Sequence, residues 1–282
     1  MKFGVHIPNL GDYADPQLIV SMAQTAEERG WDGVFLWDHV LFDPVNPIHV
    51  VDPWVAMAAI AQATARVTIG AMVTPPARRR PWKLAREVAT LDRLSGGRLV
   101  FGAGLGVPRT SEYEIFGEDG DAKVRAQRLD EGLAVLSGLL SGERFSFAGE
   151  HFQVGEVQFL PPPVSRVPIW VAGRWPNPRP FERAARWDGV VPEKVGGRMV
   201  TAADVAELVA FVSERRDAGS AGDPFDVVIG GYTPADDGEQ AAATVAGYAQ
   251  AGATWWMERV HWNRGTVAEN IARIEAGPPS RP

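Results

Sequence analysis

Residues 33–37, "GVFLW", form an apolar run that stops at Asp38 and His39, after which apolar residues resume. A fully buried parallel strand stays apolar until it reaches its loop, so this pair marks a strand end. His39 could donate a proton or face developing charge, and Asp38 could orient the imidazole or hydrogen-bond a ligand. The plain alternative is an aspartate that caps the loop beside a packed histidine. Gly102, Gly104 and Gly106 would let backbone approach a flat ring or a phosphate closely, or would only turn a corner. Ala172, Gly173 and Arg174, just ahead of a helical stretch, could offer amides and a guanidinium to a phosphate. The basic stretch 77–80, "ARRR", reads as a solvated loop. His6, His39, His49, His151 and His261 lie on unrelated segments with no His-x-His, whereas a metal centre needs three or four convergent ligands. No resident metal is expected. No acid/base pair of carboxylates and no serine-centred elbow stands out.

The elements that would position these groups alternate regularly. Residues 2–8 read as a strand and 16–30 as a helix begun by Asp15-Pro16 and stopped at Gly30. Strand 33–37 precedes helix 52–64, with Asp52 as N-cap and Pro53 in its first turn. Strand 67–73, helix 81–95 and strand 98–106 follow, then a polar loop and a long helix near 123–141. Residues 143–165 alternate apolar and polar side chains around a glycine, the pattern of a β-hairpin insertion between the fourth helix and the fifth strand. The rhythm resumes with strands at 168–173, 188–192, 225–232 and 253–258, and helices at 180–187, 202–218, 238–250 and 265–275. Eight strand–helix pairs at this length predict a single (β/α)8 TIM barrel, an α/β fold, spanning 1–282. A doubly wound sheet is the alternative, but no Gly-x-Gly-x-x-Gly follows the first strand.

Barrel enzymes react at the carboxyl ends of their strands. Those ends carry His6 and Asn9, Asp38-His39, Met72-Val73-Thr74, Gly104-Leu105-Gly106, Ala172-Gly173-Arg174, Glu193, Tyr232, and Glu258 through His261. Composition adds limits. The chain has 282 residues, 45% of them hydrophobic, enough for a large core. A net charge of −7 argues against a nucleic-acid surface, and the absence of cysteine excludes disulfides and thiolate metal sites. No membrane span or signal peptide is expected, and a cytoplasmic location fits. The ten tryptophans suit a site for flat rings, although core packing is the commoner use of any one.

Segment 79–106, "RRPWKLAREVATLDRLSGGRLVFGAGLG", resembles the signature region of the luciferase-like monooxygenase superfamily, barrel oxidoreductases that use flavin or deazaflavin. The resemblance continues through "ERGWDGVFLWDHV", "EYEIFG", "FAGEHFQV", "PIWVAG" and "AARWDGVV", in order over the first two thirds of the chain. It implies an oxidoreductase acting on a small-molecule substrate, with a flavin-type ring at the barrel mouth, and it is compatible with a homodimer. It implies a bulge in the third strand with a non-prolyl cis peptide at Met72–Val73, pressed on that ring. Asp38 and His39 match the Asp-His pair of the branch that uses the deazaflavin coenzyme F420, with the histidine near the reacting carbon and Asp38 bonding the polar edge of the ring system. Gly104, Leu105 and Gly106 match contacts to the ring or ribityl chain, and Ala172, Gly173 and Arg174 the turn that receives the phosphate. The acidic tail of F420 would then meet Arg174, Arg179 and Arg183, or Arg78 to Arg80. FMN is the alternative cofactor, in a reduced-flavin monooxygenase, and a non-catalytic flavin-holding barrel is a rival of another class. An isomerase or aldolase barrel would need a catalytic lysine or glutamate on a strand, and Lys194 is the sole lysine close after a strand end. Sugar-phosphate dehydrogenases of the family carry a glutamate just after the strand-four glycines, where this chain has Leu105-Gly106-Val107; sugar-phosphate oxidation is therefore in doubt.

Overall fold

The structure, a computed structural model, describes residues 1–216 and 222–281. The chain runs β1 (Lys2–Ile7), α1 (Pro16–Glu28), β2 (Gly33–Leu36), α2 (Pro53–Ala63), β3 (Thr68–Thr74), α3 (Pro81–Ser95) and β4 (Leu99–Ala103). It continues with a short helix α4 (Arg109–Glu112), α5 (Ala122–Leu140), and the strands β5 (Arg144–Ala148) and β6 (Gln153–Gln158). The second half holds β7 (Ile169–Trp175), α6 (Pro178–Ala184), β8 (Gly189–Lys194), α7 (Ala202–Ser213), β9 (Asp226–Gly231), α8 (Gly238–Gln250), β10 (Trp255–Arg259) and α9 (Val267–Glu275). Eight strands close in the order β1-β10-β9-β8-β7-β4-β3-β2, every pair parallel, while β5 and β6 form a separate antiparallel hairpin. This is the expected (β/α)8 barrel with its insertion. No helix among the described residues is long and apolar enough to cross a membrane.

Local signals set the helix starts. Asp15 accepts from Gln17 N and Asp52 from Val55 N, each ahead of a proline that has no N–H and so needs no acceptor. Thr201 and Thr266 each form a reciprocal capping box with the residue three further on. Three expectations are corrected. Helix 202–218 ends at Ser213, and its last two expected residues, 217 and 218, lie outside the described residues. The polar loop after β4 contains α4. The fifth barrel strand extends to Trp175, because its register with β8 continues through Arg174↔Glu193 and Trp175↔Lys194. Arg174 is therefore a strand residue, not part of a turn.

The barrel interior is a packed plug. Phe35, Met72, Val100, Trp170, Val191, Val228, Trp255 and Met257 form one buried cluster, with Val73 and Ala172 resting on it. Phe35 stacks on Trp170 at 5.4 Å, and Trp170 meets Trp255 edge-on at the same distance. Interior side chains of a strand come from alternate positions. That parity sends His6, Arg174, Glu193 and Arg259 inward, above the plug. The larger apolar layer lies between strands and helices.

Candidate active site

The carboxyl ends of the strands hold two groups of polar side chains. The first surrounds the Asp38-His39 pair. Asp38 has the opposite parity to Phe35 and turns out of the barrel. Its buried carboxylate accepts from Thr74 Oγ1 at 2.7 Å, from Trp54 Nε1 at 3.2 Å, and from Arg78 and Arg79 at 2.7 and 3.0 Å. Burial pushes its pKa up, but Arg79 and Arg78 outweigh this and hold the carboxyl below the usual range. The reading of Asp38 as the group that orients His39 or bonds a ligand is thus corrected: its lone pairs are committed within the protein. The solvated-loop reading of 77–80 is corrected with it, since Arg78 and Arg79 fold inward to neutralise Asp38.

His39 is held from both ends. Asn9 accepts from His39 N and donates to His39 O and Val51 O, which fixes the backbone. The ring bonds through Nδ1 to Glu112 Oε1 at 2.9 Å, and Arg78 Nη1 lies 3.0 Å from the other carboxylate oxygen. Glu112 is buried on α4. Sequence reasoning passed over it because it lies 73 residues from its partner, in a stretch read only as polar loop. Although Leu105-Gly106-Val107 carries no carboxylate, Glu112 delivers one a turn later. The arrangement leaves Nε2 of His39 as the ring atom open to a ligand.

The third strand is bulged and the Met72–Val73 peptide is cis, as the resemblance implied. His6 Nε2 donates to Met72 O at 3.0 Å and braces the bulge. Burial, then the nearby Arg259, lowers the His6 pKa to about 3, so the ring stays neutral. The glycines of β4 answer this bulge rather than an open space. A Cβ on Gly102 would lie 2.2 Å from Ala71 O, a backbone atom, and one on Gly104 would lie 2.4 Å from Val73 Cγ2. Leu105 O accepts from Tyr113 Oη, and Arg125 donates to both Leu105 O and Gly106 O. On β7, a Cβ on Gly173 would lie 2.4 Å from Pro180, so this glycine seats α6 against the strand. Pro178 and Pro180 remove two N–H donors from the first turn of α6. Arg174 is exposed and, among the described residues, has no ion-pair partner. Arg183, expected to be exposed, is buried and bonds Asp130 through Nε and Nη2.

The second group lies across the mouth. Arg259 donates to Glu193 at 2.8 Å, and Tyr232 Oη is 2.6 Å from His261 Nε2. Trp37 joins the two groups: its ring lies 5.7 Å from both His39 and His261, and 5.8 Å from His6. Its Nε1 is buried with no partner among the described residues, as is Arg259 Nε. The parity shared with Phe35 was the available signal for Trp37. Among the described residues no cluster of three histidines or carboxylates could hold a metal. A cavity of about 340 Å³ opens behind the first group, lined by Val40, Asp52, Arg78, Arg79, Glu112, Phe116 and Glu118. Its arginines are already paired and its remaining charges are acidic, so it suits an anionic ligand poorly. The mouth suits one better: Val73 and Ala172 form an apolar shelf on the plug, with unpaired donors of Trp37, Arg259 and Arg174 near it.

These features define an α/β barrel whose ligand site sits at the carboxyl ends of its strands. The chain belongs to the luciferase-like monooxygenase family, whose model matches residues 1–278. It is 33% identical over 160 residues to the F420-dependent hydroxymycolic acid dehydrogenase of Mycobacterium tuberculosis, covering 56% of this chain and 44% of that protein. It is 33% identical over 165 residues to the F420-dependent glucose-6-phosphate dehydrogenase of Microbacterium testaceum, covering 57% and 48%. The chain thus spans about half the length of the curated relatives it matches. Among solved structures, an F420-dependent secondary alcohol dehydrogenase in complex with an F420-acetone adduct superposes with a TM-score of 0.81 at 19% identity, covering 100% and 99% of the two chains. The F420-dependent tetrahydromethanopterin reductase of Methanopyrus kandleri gives 0.76 at 17% identity, covering 98% and 97%. These likenesses establish the fold.

Proposed function

We propose that the chain is an F420-dependent oxidoreductase that moves a hydride between the deazaflavin and a small organic substrate. The observation that carries this reading is the mouth itself: an apolar shelf of Val73 on the bulged strand and Ala172 on β7, with Trp37 Nε1 and Arg259 Nε buried and unpartnered nearby. A flat ring with polar edges would cover the shelf and satisfy such donors, whose desolvation is otherwise uncompensated. F420, when bound, supplies the carbon that accepts or gives the hydride. His39, oriented by Glu112, presents Nε2 at the edge of the shelf to exchange a proton with the reacting groups. His6 keeps the shelf in place through Met72 O. Glycines at 104 and 173 let Val73 and α6 approach, and Leu105 and Gly106 border the ring through backbone whose carbonyls Arg125 and Tyr113 have fixed. Arg174 and Arg179, both exposed and close in sequence to Ala172 of the shelf, are the cations assigned to the phosphate and the acidic tail; Arg78, Arg79 and Arg183 are engaged elsewhere, and Arg80 lies over the Trp82 ring. The dehydrogenase names of the relatives support the deazaflavin over FMN.

Ala172→Phe tests the location. A ring placed on the shelf should reduce affinity for oxidised F420, read by fluorescence quenching, at least 50-fold, about 2.3 kcal/mol. Thermal stability should stay near that of the parent. Unchanged F420 affinity with an intact fold would refute the site.

A further inference from the structure

Across the mouth from His39, the hydrogen-bond geometry fixes a proton position that the reading above does not use. Asn263 N donates to His261 Nδ1 at 3.2 Å. A ring nitrogen that accepts carries no hydrogen, so the neutral imidazole keeps its proton on Nε2. Burial and then Arg259 lower the His261 pKa, which favours that neutral form. Nε2–H therefore donates to Tyr232 Oη, 2.6 Å away. The phenol oxygen cannot also give its own proton to the imidazole. The Arg259 side chain, paired with Glu193, adds positive charge near the same oxygen. The hydroxyl hydrogen is left over, and among the described residues no acceptor takes it.

Tyr232 follows β9 on the inward parity of Val228 and Gly230, and it is 38% exposed at the mouth. The rings of His39, Trp37, His261 and Tyr232 run as one wall, with 5.7 Å between each pair of neighbours. The proton-bearing phenol and the Glu112-oriented imidazole thus stand at opposite ends of the same wall. Burial raises the Tyr232 pKa above its ordinary value, although Arg259 opposes the shift, so the hydroxyl stays protonated at neutral pH. The charged groups around it are Glu193 on β8, Arg259 on β10 and Arg264 after β10.

We infer that Tyr232 is the hydrogen-bond donor to the substrate oxygen, with His261 as its positioning residue, and that the substrate class is a ketone or the matching secondary alcohol. A neutral phenol whose oxygen already accepts the His261 donor is polarised to give its proton. A carbonyl or alcohol oxygen is the group such a donor recognises, and it places the adjacent carbon over the shelf. No proton need leave the phenol. This assignment rests on the deazaflavin reading of the shelf, so the test separates the two.

The test has two readouts. In the isotope-labelled chain, nitrogen NMR should show His261 in the Nε2-protonated neutral tautomer; an Nδ1-protonated ring would overturn the donor assignment. In parallel, the holoenzyme is given oxidised F420 with butan-2-ol and cyclohexanol, and reduced F420 with butanone and cyclohexanone. Tyr232→Phe should lower kcat/KM about 10²-fold while the F420 Kd stays within twofold, and His261→Gln should reproduce part of the loss. Equal kcat/KM in Tyr232→Phe, or no turnover of any alcohol or ketone by an enzyme that binds F420, would overturn it. Failure to bind F420 would instead overturn the cofactor reading, and the tautomer would still decide the donor.

Discussion

The two sides of the barrel mouth carry the same kinds of groups and use them in opposite ways. On the β2–β3–α4 side, Asp38, Arg78, Arg79, Glu112 and the Nδ1 of His39 pair almost wholly with one another in buried contacts of 2.7 to 3.0 Å. On the β8–β10 side, Glu193 and Arg259 form a pair whose carboxylate is 53% exposed, and Tyr232 keeps an unclaimed proton. A closed network holds a geometry, whereas an open one has capacity left for a ligand. In the proposed function the first side is therefore the frame that aims His39, and the second is the wall that would meet the substrate.

Breaking the closed side should have the largest effect. Asp38→Ala removes the carboxylate shared by two guanidinium groups whose side chains are only 6% and 18% exposed, leaving Arg78 with Glu112 and Arg79 with a longer 3.7 Å contact to Glu87. Removing one partner of such a buried pair costs about 3–5 kcal/mol, and chemical denaturation should read a loss of that order. A loss under about 1 kcal/mol would mean the network is worth no more than a surface pair. The next effect concerns chemistry. His39→Ala should slow the single-turnover hydride step by about 10²–10⁴-fold with little change in F420 affinity. Glu112→Gln should reproduce much of that loss, and the double variant should be no worse than His39→Ala if the two act as a unit. Additive losses would separate them.

A smaller effect separates the sides by pH. His6 and His261 are held neutral, below the unfolded value of 6.5. The unfolded chain thus binds more protons below that value, and stability, full above it, falls as pH drops. For His6 the fall continues toward about 3. The melting temperature should decline between pH 6.5 and about 5, before carboxylates titrate, and less steeply in His6→Gln. An identical slope would exclude His6 as a source.

The barrel was legible because its determinants are local. Asp15-Pro16 and Asp52-Pro53 announce helix starts, and apolar runs such as residues 33–37 announce buried strands. Strand ends were legible too, so His6, His39, Tyr232 and His261 stood among the candidates. What escaped is what depends on contacts across many residues. Nothing near Glu112 says that it reaches His39, and nothing in "ARRR" says that two of its arginines fold onto Asp38. Parity was readable but unused: it sets Trp37 with Phe35 toward the axis and Asp38 away from it. The β4 glycines looked like ligand contacts, yet Gly102 and Gly104 are required by the approach of β3.

The most direct test of the central claim is a titration of the purified chain with oxidised F420 and with FMN, at low salt and at 0.15 M. F420 is expected to bind more tightly than FMN at low salt, because its acidic tail adds contacts to Arg174 and Arg179 that FMN cannot make. Part of that advantage should fade where screening acts over about 8 Å, and Arg174→Ala should weaken both ligands. FMN that co-purifies stoichiometrically, with no F420 binding at low salt, would contradict it.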